Sequence, residues 1–223
     1  MTAPDLLPWV YAFLVSYVLI APFVVWLRPR FLTLVLGGTI LAAAALFLEV
    51  EVSGALSPVV ADVLVLVALG PLIEETLKFL ASGVTGANFA SAAGAGIGFA
   101  ATENALYFWA AWGGPLDALI ALIAIRSMTD PLLHSTAATL STLTWRGRAW
   151  GFPAAVALHA SWNMATLVYV LVNPTEGLVL LAVAGFSVLG IMLLLRRSPS
   201  VRDELDNAYR LRPWSGAEAY AGA

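Results

Sequence analysis

Charged side chains set inside long apolar stretches constrain this chain more than any other feature. Stretches of roughly 20 mostly apolar residues, the length that crosses a bilayer as a helix, run over about 6–27, 31–48, 58–82, 89–112, 116–144, 149–172 and 177–195. Breakers separate them, among them Arg28-Pro29-Arg30, Gly113-Gly114-Pro115, Arg146-Gly147-Arg148 and Asn173-Pro174. The third to sixth stretches carry Glu74, Glu75 and Lys78, then Glu103 and Asn104, then Arg126, Asp130 and His134, then His159 and Asn163. Both histidines of the chain are among them. A charge at mid-bilayer costs about 2.5–3.5 kcal/mol, so Glu74, Glu75, Lys78, Glu103, Arg126 and Asp130 together cost on the order of 15–20 kcal/mol if unpaired. That exceeds the net stability of a typical domain. These groups must therefore pair, face water, hold an ion or lose their charge.

Composition agrees with this reading. Of 223 residues, 61% are hydrophobic and 11% charged, whereas soluble domains average about 45–50% and about 25%. Mean hydropathy is +0.88. The pattern predicts an all-α, polytopic transmembrane bundle of about seven spans, lying in the cell (inner or plasma) membrane. The lipid bilayer is then its first partner. A net charge of −3 without a basic stripe excludes a nucleic-acid partner, and the absence of cysteine excludes disulfides and thiolate chemistry. The N-terminus lacks a basic leader, so the first stretch is expected to remain as a span. Arg28, Arg30, Arg146, Arg148, Arg196 and Arg197 follow odd-numbered spans and Lys78 lies near the end of the third, while Asp5, Glu49, Glu51, Asp117 and Glu176 lie at the opposite ends. Positive charge favours the cytoplasm, which predicts an outside N-terminus and a cytoplasmic C-terminus. Residues 1–197 form the expected membrane domain, with 58–172 as its site-bearing core. Residues 198–223 form a short polar tail.

Helical spacing already supplies partners. Glu74 and Lys78, Arg126 and Asp130, Asp130 and His134, and His159 and Asn163 are each four residues apart and share a face. Pro131 is expected to bend its span or free the Ser127 carbonyl. Gly94, Gly96 and Gly98 suit close helix packing, and Tyr107, Trp109, Trp112 and Trp150 suit membrane-interface anchoring. Four acids against Lys78 and Arg126 leave two negative charges if both histidines are neutral. A divalent cation would cancel that excess, and so would protons. Carboxylates with imidazoles suit zinc, and equally suit a metal-free site where a glutamate and a histidine activate water.

Read in order, Glu74-Glu75-x-x-Lys78, Gly98-Phe99-x-x-x-Glu103-Asn104 with Tyr107, Arg126-Ser127-x-x-x-Pro131-x-x-His134 and His159-x-x-Trp162-Asn163 resemble the PrsW family of intramembrane metalloproteases. That family is distantly similar to the CAAX-prenyl endopeptidase and Abi membrane-protease group. The resemblance covers about residues 58–172. It implies an endopeptidase acting on a membrane-anchored protein, for instance an anti-sigma factor. Glu74 would be the general base, and Glu75 would orient the site with Lys78. Glu103 stands where the CAAX proteases place a histidine. His134 and His159 would be ligands or oxyanion stabilisers, with His134, His159 and Glu103 the set for any metal, zinc first. Asn163 would donate to the oxyanion. Asn104, Arg126 and Asp130 would support the site. Two rival classes explain intramembrane acids as well: a small ion- or proton-coupled transporter, and a non-catalytic membrane or immunity partner.

Overall fold

The structure is a computed structural model that describes residues 3–27, 33–34, 38–55, 63–85 and 87–207. The described residues are almost all helical and contain no strand. Helices α1 (Ala3–Leu19) and α2 (Ala21–Leu27) break at Ile20, and α3 covers Gly38–Gly54. A π-helical turn, Val65–Leu69, leads into α4, Gly70–Val84. Next come α5 (Phe89–Ala110), α6 (Leu116–Trp145), α7 (Gly151–Leu171), α8 (Pro174–Arg197) and the short α9 (Pro199–Asn207).

Helix α5 is the axis of the bundle. Sixteen of its 22 residues are buried, and it packs against α1, α3 and α6. Small residues allow this. A Cβ on Gly96 would lie 2.4 Å from the His134 carbonyl oxygen, and one on Gly38 would lie 2.4 Å from the Gly98 carbonyl carbon. Glycine thus draws α6 and α3 onto α5 and brings His134 to the centre, as close helix packing through small residues predicts.

The outside is apolar. Val18, Val25, Phe47, Phe186 and Leu194 are largely exposed, and only 11% of the most apolar window of α8 is buried. Exposed large hydrophobics on this scale fit a hydrocarbon solvent. By length and composition alone, Leu7–Leu27 and Pro174–Arg197 are the two segments among the described residues that qualify to cross a membrane, against the seven expected over the whole chain. The inner helices fall short because they face protein rather than lipid, so glycine, serine, threonine and charged groups replace leucine along them.

Boundaries also differ from expectation. The second helix runs from Gly38 to Gly54 rather than over 31–48, which draws Glu49 and Glu51 into a helix instead of a loop. Pro131 lies inside α6, whose 30 residues run unbroken from Leu116 to Trp145, which is compatible with the expected bend or freed Ser127 carbonyl. The tail begins as a docked helix: Val201 and Leu205 of α9 pack against Phe89, Ala90 and Ala93. Glu204 accepts a hydrogen bond from the first backbone N–H of α5 at 2.8 Å and pairs with Arg146. Arg28, Arg30, Arg210, Arg212 and the rest of the tail lie outside the described residues, as does the side chain of Asp5.

Candidate functional site

The charged groups of the four inner helices meet at one place. The sequence motif Glu74-Glu75-x-x-Lys78 puts three charges on one face of α4, and all three are buried. Lys78 Nζ lies 2.7 Å from Glu75 Oε1, 3.4 Å from Glu74 Oε2 and 2.7 Å from His134 Nδ1. It also sits 4.2 Å from the centre of the Phe99 ring. An ammonium only donates, so His134 Nδ1 accepts and its Nε2 carries the proton. That Nε2–H donates to Glu103 Oε2 at 2.9 Å. From α7, His159 Nδ1 lies 2.9 Å from Glu75 Oε1. Bonding to a carboxylate fixes that ring with Nδ1 protonated, so its Nε2 presents a lone pair.

A second cation stands beside this group. Arg126 Nη2 lies 2.6 Å from Asp130 Oδ2 and 3.2 Å from Glu103 Oε1, and Arg126 Nε donates to Asn104 Oδ1 at 2.9 Å. Its guanidinium stacks on Tyr107, 3.7 Å from the ring centre. Tyr107 thus covers one face of Arg126 while remaining 40% exposed on the outside of the bundle. Its neighbour Trp109 stacks on Trp9 at 4.4 Å.

Most of the expected set converges: Glu74, Glu75, Lys78, Glu103, His134 and His159 form one connected network, and Asn104, Arg126 and Asp130 extend it. Asn163 does not join. Its amide donates to the Leu66 carbonyl at 2.8 Å, in the π-helical turn where hydrogen bonding is irregular. A free backbone acceptor there outcompetes a place in the centre. The metal set also changes. Glu74, Glu75, His134 and His159 offer ligand atoms within 4.8 Å of one another. Glu103 is not in that set, because it serves the far nitrogen of His134 and Arg126.

These donors fit a divalent ion in kind and spacing. Glu75 Oε2 is buried without a hydrogen-bond partner among the described residues, and the His159 Nε2 lone pair is backed by a carboxylate on Nδ1, the usual arrangement of a metal-binding histidine. His134 becomes a donor only once Lys78 releases its Nδ1.

Glu49 was expected in a loop and not at the centre. It lines, with Glu74, Phe99, Glu103 and Tyr107, a cavity of about 220 Å³ between α3 and α5. The signal was present as one more acid at the edge of an apolar run, but the estimated helix end hid it.

An all-helical body with a lipid-type exterior and a buried carboxylate–imidazole centre defines an integral membrane protein with a polar reaction site. The chain belongs to the PrsW family of intramembrane metalloproteases, whose profile matches residues 26–194. It is thus a membrane protease, a hydrolase whose substrates are membrane-embedded proteins. Neither curated proteins nor solved structures give a match.

Proposed function

We propose that the chain is an intramembrane endopeptidase in which Glu74 activates the water that attacks a peptide carbonyl. The observation that carries this is the unequal engagement of two adjacent carboxylates. Glu75 is held tightly, by Lys78 at 2.7 Å and His159 at 2.9 Å, whereas Glu74 meets the same groups only at longer range, Lys78 at 3.4 Å, His134 at 3.7 Å and His159 at 3.9 Å, touches the Glu49 carboxyl and lines the cavity. A base needs reach to the water and spare acceptor capacity, and Glu74 has both.

Glu74 takes a proton from water as the oxygen bonds to the scissile carbonyl carbon. The carbonyl becomes a tetrahedral oxyanion, for which the Lys78 ammonium supplies a nearby positive charge; such stabilisation is worth about 2.7–4 kcal/mol per donor. Glu74 then passes the proton to the amide nitrogen, the C–N bond breaks, and the carbonyl re-forms as an acid. Glu75 holds Lys78 and His159 in place. Glu103 fixes the His134 ring, and Arg126 with Asp130 and Asn104 fixes Glu103. A divalent ion, zinc first, would be held by Glu75, His134 and His159 and would polarise the carbonyl and lower the pKa of water. Asn163 acts by holding the turn before α4.

Seven spans with an outside N-terminus and a cytoplasmic C-terminus suit this reading. Arg196 bonds the Trp26 carbonyl at the end of α2, and Arg146 pairs with Glu204 of α9, so the ends of the first, fifth and seventh spans meet on one basic face. The membrane domain is 1–197, and the motif resemblance extends to a distant kinship with the CAAX and Abi proteases. Following the resemblance, an anti-sigma factor with a membrane anchor is the first substrate to assay. The test is Glu74→Gln in proteoliposomes. Cleavage should fall at least about 10²-fold, within the range seen for loss of general base catalysis, at unchanged expression and melting temperature; cleavage at the wild-type rate sinks the proposal. Cleavage with and without chelator, alongside metal content of the purified protein, tests the ion.

A further inference from the structure

Three helices wall the cavity that reaches Glu74. Ala42, Ala45, Leu46 and Glu49 of α3 face Phe99, Glu103, Leu106, Tyr107 and Ala110 of α5 across it, with Glu74 of α4 between them. Leu46, Tyr107 and Ala110 are exposed on the outer face, so the space is a groove open to the outside of the bundle rather than a sealed void. Its α3 wall, Ala42 to Glu49, is about 10 Å long and its α5 wall, Phe99 to Ala110, about 16 Å, at 1.5 Å per residue. Extended chain covers about 3.3–3.6 Å per residue, so the groove takes about three to five residues of peptide.

A peptide unwound inside the bilayer loses its internal hydrogen bonds, and each open N–H or C=O there costs several kcal/mol. The groove must therefore supply partners. Most of its lining is apolar, and of its three acids Glu103 is committed to His134 and Arg126. Glu49 is only partly committed: its carboxyl touches that of Glu74, but its Oε1 is buried and has no hydrogen-bond partner among the described residues. That atom also lies beside the start of α4, since a Cβ on Gly70 would come within 3.5 Å of it. A buried acceptor left open is costly on its own, and a donor arriving with the substrate would satisfy it.

We propose that the groove between α3 and α5 receives, from the lipid side, the extended segment of a membrane-embedded protein substrate that carries the scissile bond. Glu49 accepts a backbone N–H of that segment. The inference rests on Glu74 as the base, which lies at the inner end of the same groove. It gives Glu49 a substrate-binding role that the four sequence motifs do not include.

Because the chain has no cysteine, single cysteines report contacts cleanly. Cysteine is placed at Leu46 or Leu106 in the Glu74→Gln protein, with Phe186 on the lipid face of α8 as the control, and a substrate carries one cysteine beside its cleavage site. Oxidation in liposomes should give disulfide-linked product at Leu46→Cys and Leu106→Cys and at most a tenth as much at Phe186→Cys. Equal yields, or product at Phe186→Cys alone, overturn the groove while leaving the role of Glu74 intact, since that role is read from cleavage. Kinetics test Glu49 separately. Glu49→Ala should raise KM at least fivefold with kcat within about twofold, and Glu49→Gln, which keeps an acceptor oxygen, should recover most of the lost affinity. A fall in kcat at constant KM, or an alanine variant equal to wild type, overturns the assignment of Glu49.

Discussion

Two cations hold the polar interior, and they do so differently. Lys78 sits between Glu74 and Glu75 with no side-chain exposure, while Arg126 sits between Glu103 and Asp130 with 17%. His134 joins the two halves, taking a hydrogen from Lys78 on one nitrogen and giving one to Glu103 from the other. Arginine presents a rigid planar fork, and here every direction is used: two carboxylates, the Asn104 amide and the Tyr107 ring. Lysine is a compact charge on a flexible stem, with three partners at unequal distances. The arginine half resembles scaffolding, whereas the lysine half holds Glu74, the carboxylate that meets its partners at the longest range and lines the cavity.

The comparison can be broken most sharply at Glu74. Glu74→Gln should cost at least about 10²-fold in cleavage, whereas Asp130→Asn, in the other half, should cost no more than about tenfold in proteoliposome assays. Equal losses would erase the distinction. Next comes Lys78→Met, which strands two buried carboxylates; removing one partner from a buried pair typically costs about 3–5 kcal/mol, visible as a large drop in melting temperature in detergent. Arg126→Lys should be milder, about 1–2 kcal/mol, because the charge remains while the Asn104 bond and the stacking are lost. Its thermal shift should be smaller than that of Lys78→Met. Smallest is Tyr107→Leu. A stacked cation–π contact at a part-exposed site is worth about 0.5–1 kcal/mol, and kcat should change by less than about threefold.

Much of this arrangement was legible in the residues. Spacing of four along a helix pairs Glu74 with Lys78 and Arg126 with Asp130, and both pairs form. The cost of intramembrane charge requires Glu103 to find partners, and it finds His134 and Arg126. What spacing does not carry is direction around neighbouring helices. Asn163 lies one turn from His159, yet it turns away to Leu66, because the π-helical turn before α4 leaves a nearby acceptor that no periodicity announces. Glu49 was hidden by a helix end placed six residues too early, at 48 instead of Gly54. The division of labour between Glu74 and Glu75 was equally hidden, since adjacent identical side chains differ only in which neighbours reach them. Hydropathy carries little along α5 for a related reason: sixteen of its 22 residues are buried, and small size rather than apolarity decides what fits there.

The contact of Gly38 with Gly98 has a mechanical consequence. A methyl group on Gly98 would fall 1.7 Å from the Leu34 carbonyl oxygen, and one on Gly38 would strike the Gly98 backbone. Main chain meets main chain there, so no side chain can yield. Helices α3 and α5 are thereby pinned at one end, while Glu49 stands eleven residues along α3, about 16 Å away. The crossing is a fulcrum and α3 is its lever arm. A tilt of about 4° at the glycines would swing Glu49 by roughly 1 Å at that rise per residue, so the spacing of the carboxylates is governed by a backbone contact about 16 Å away from them.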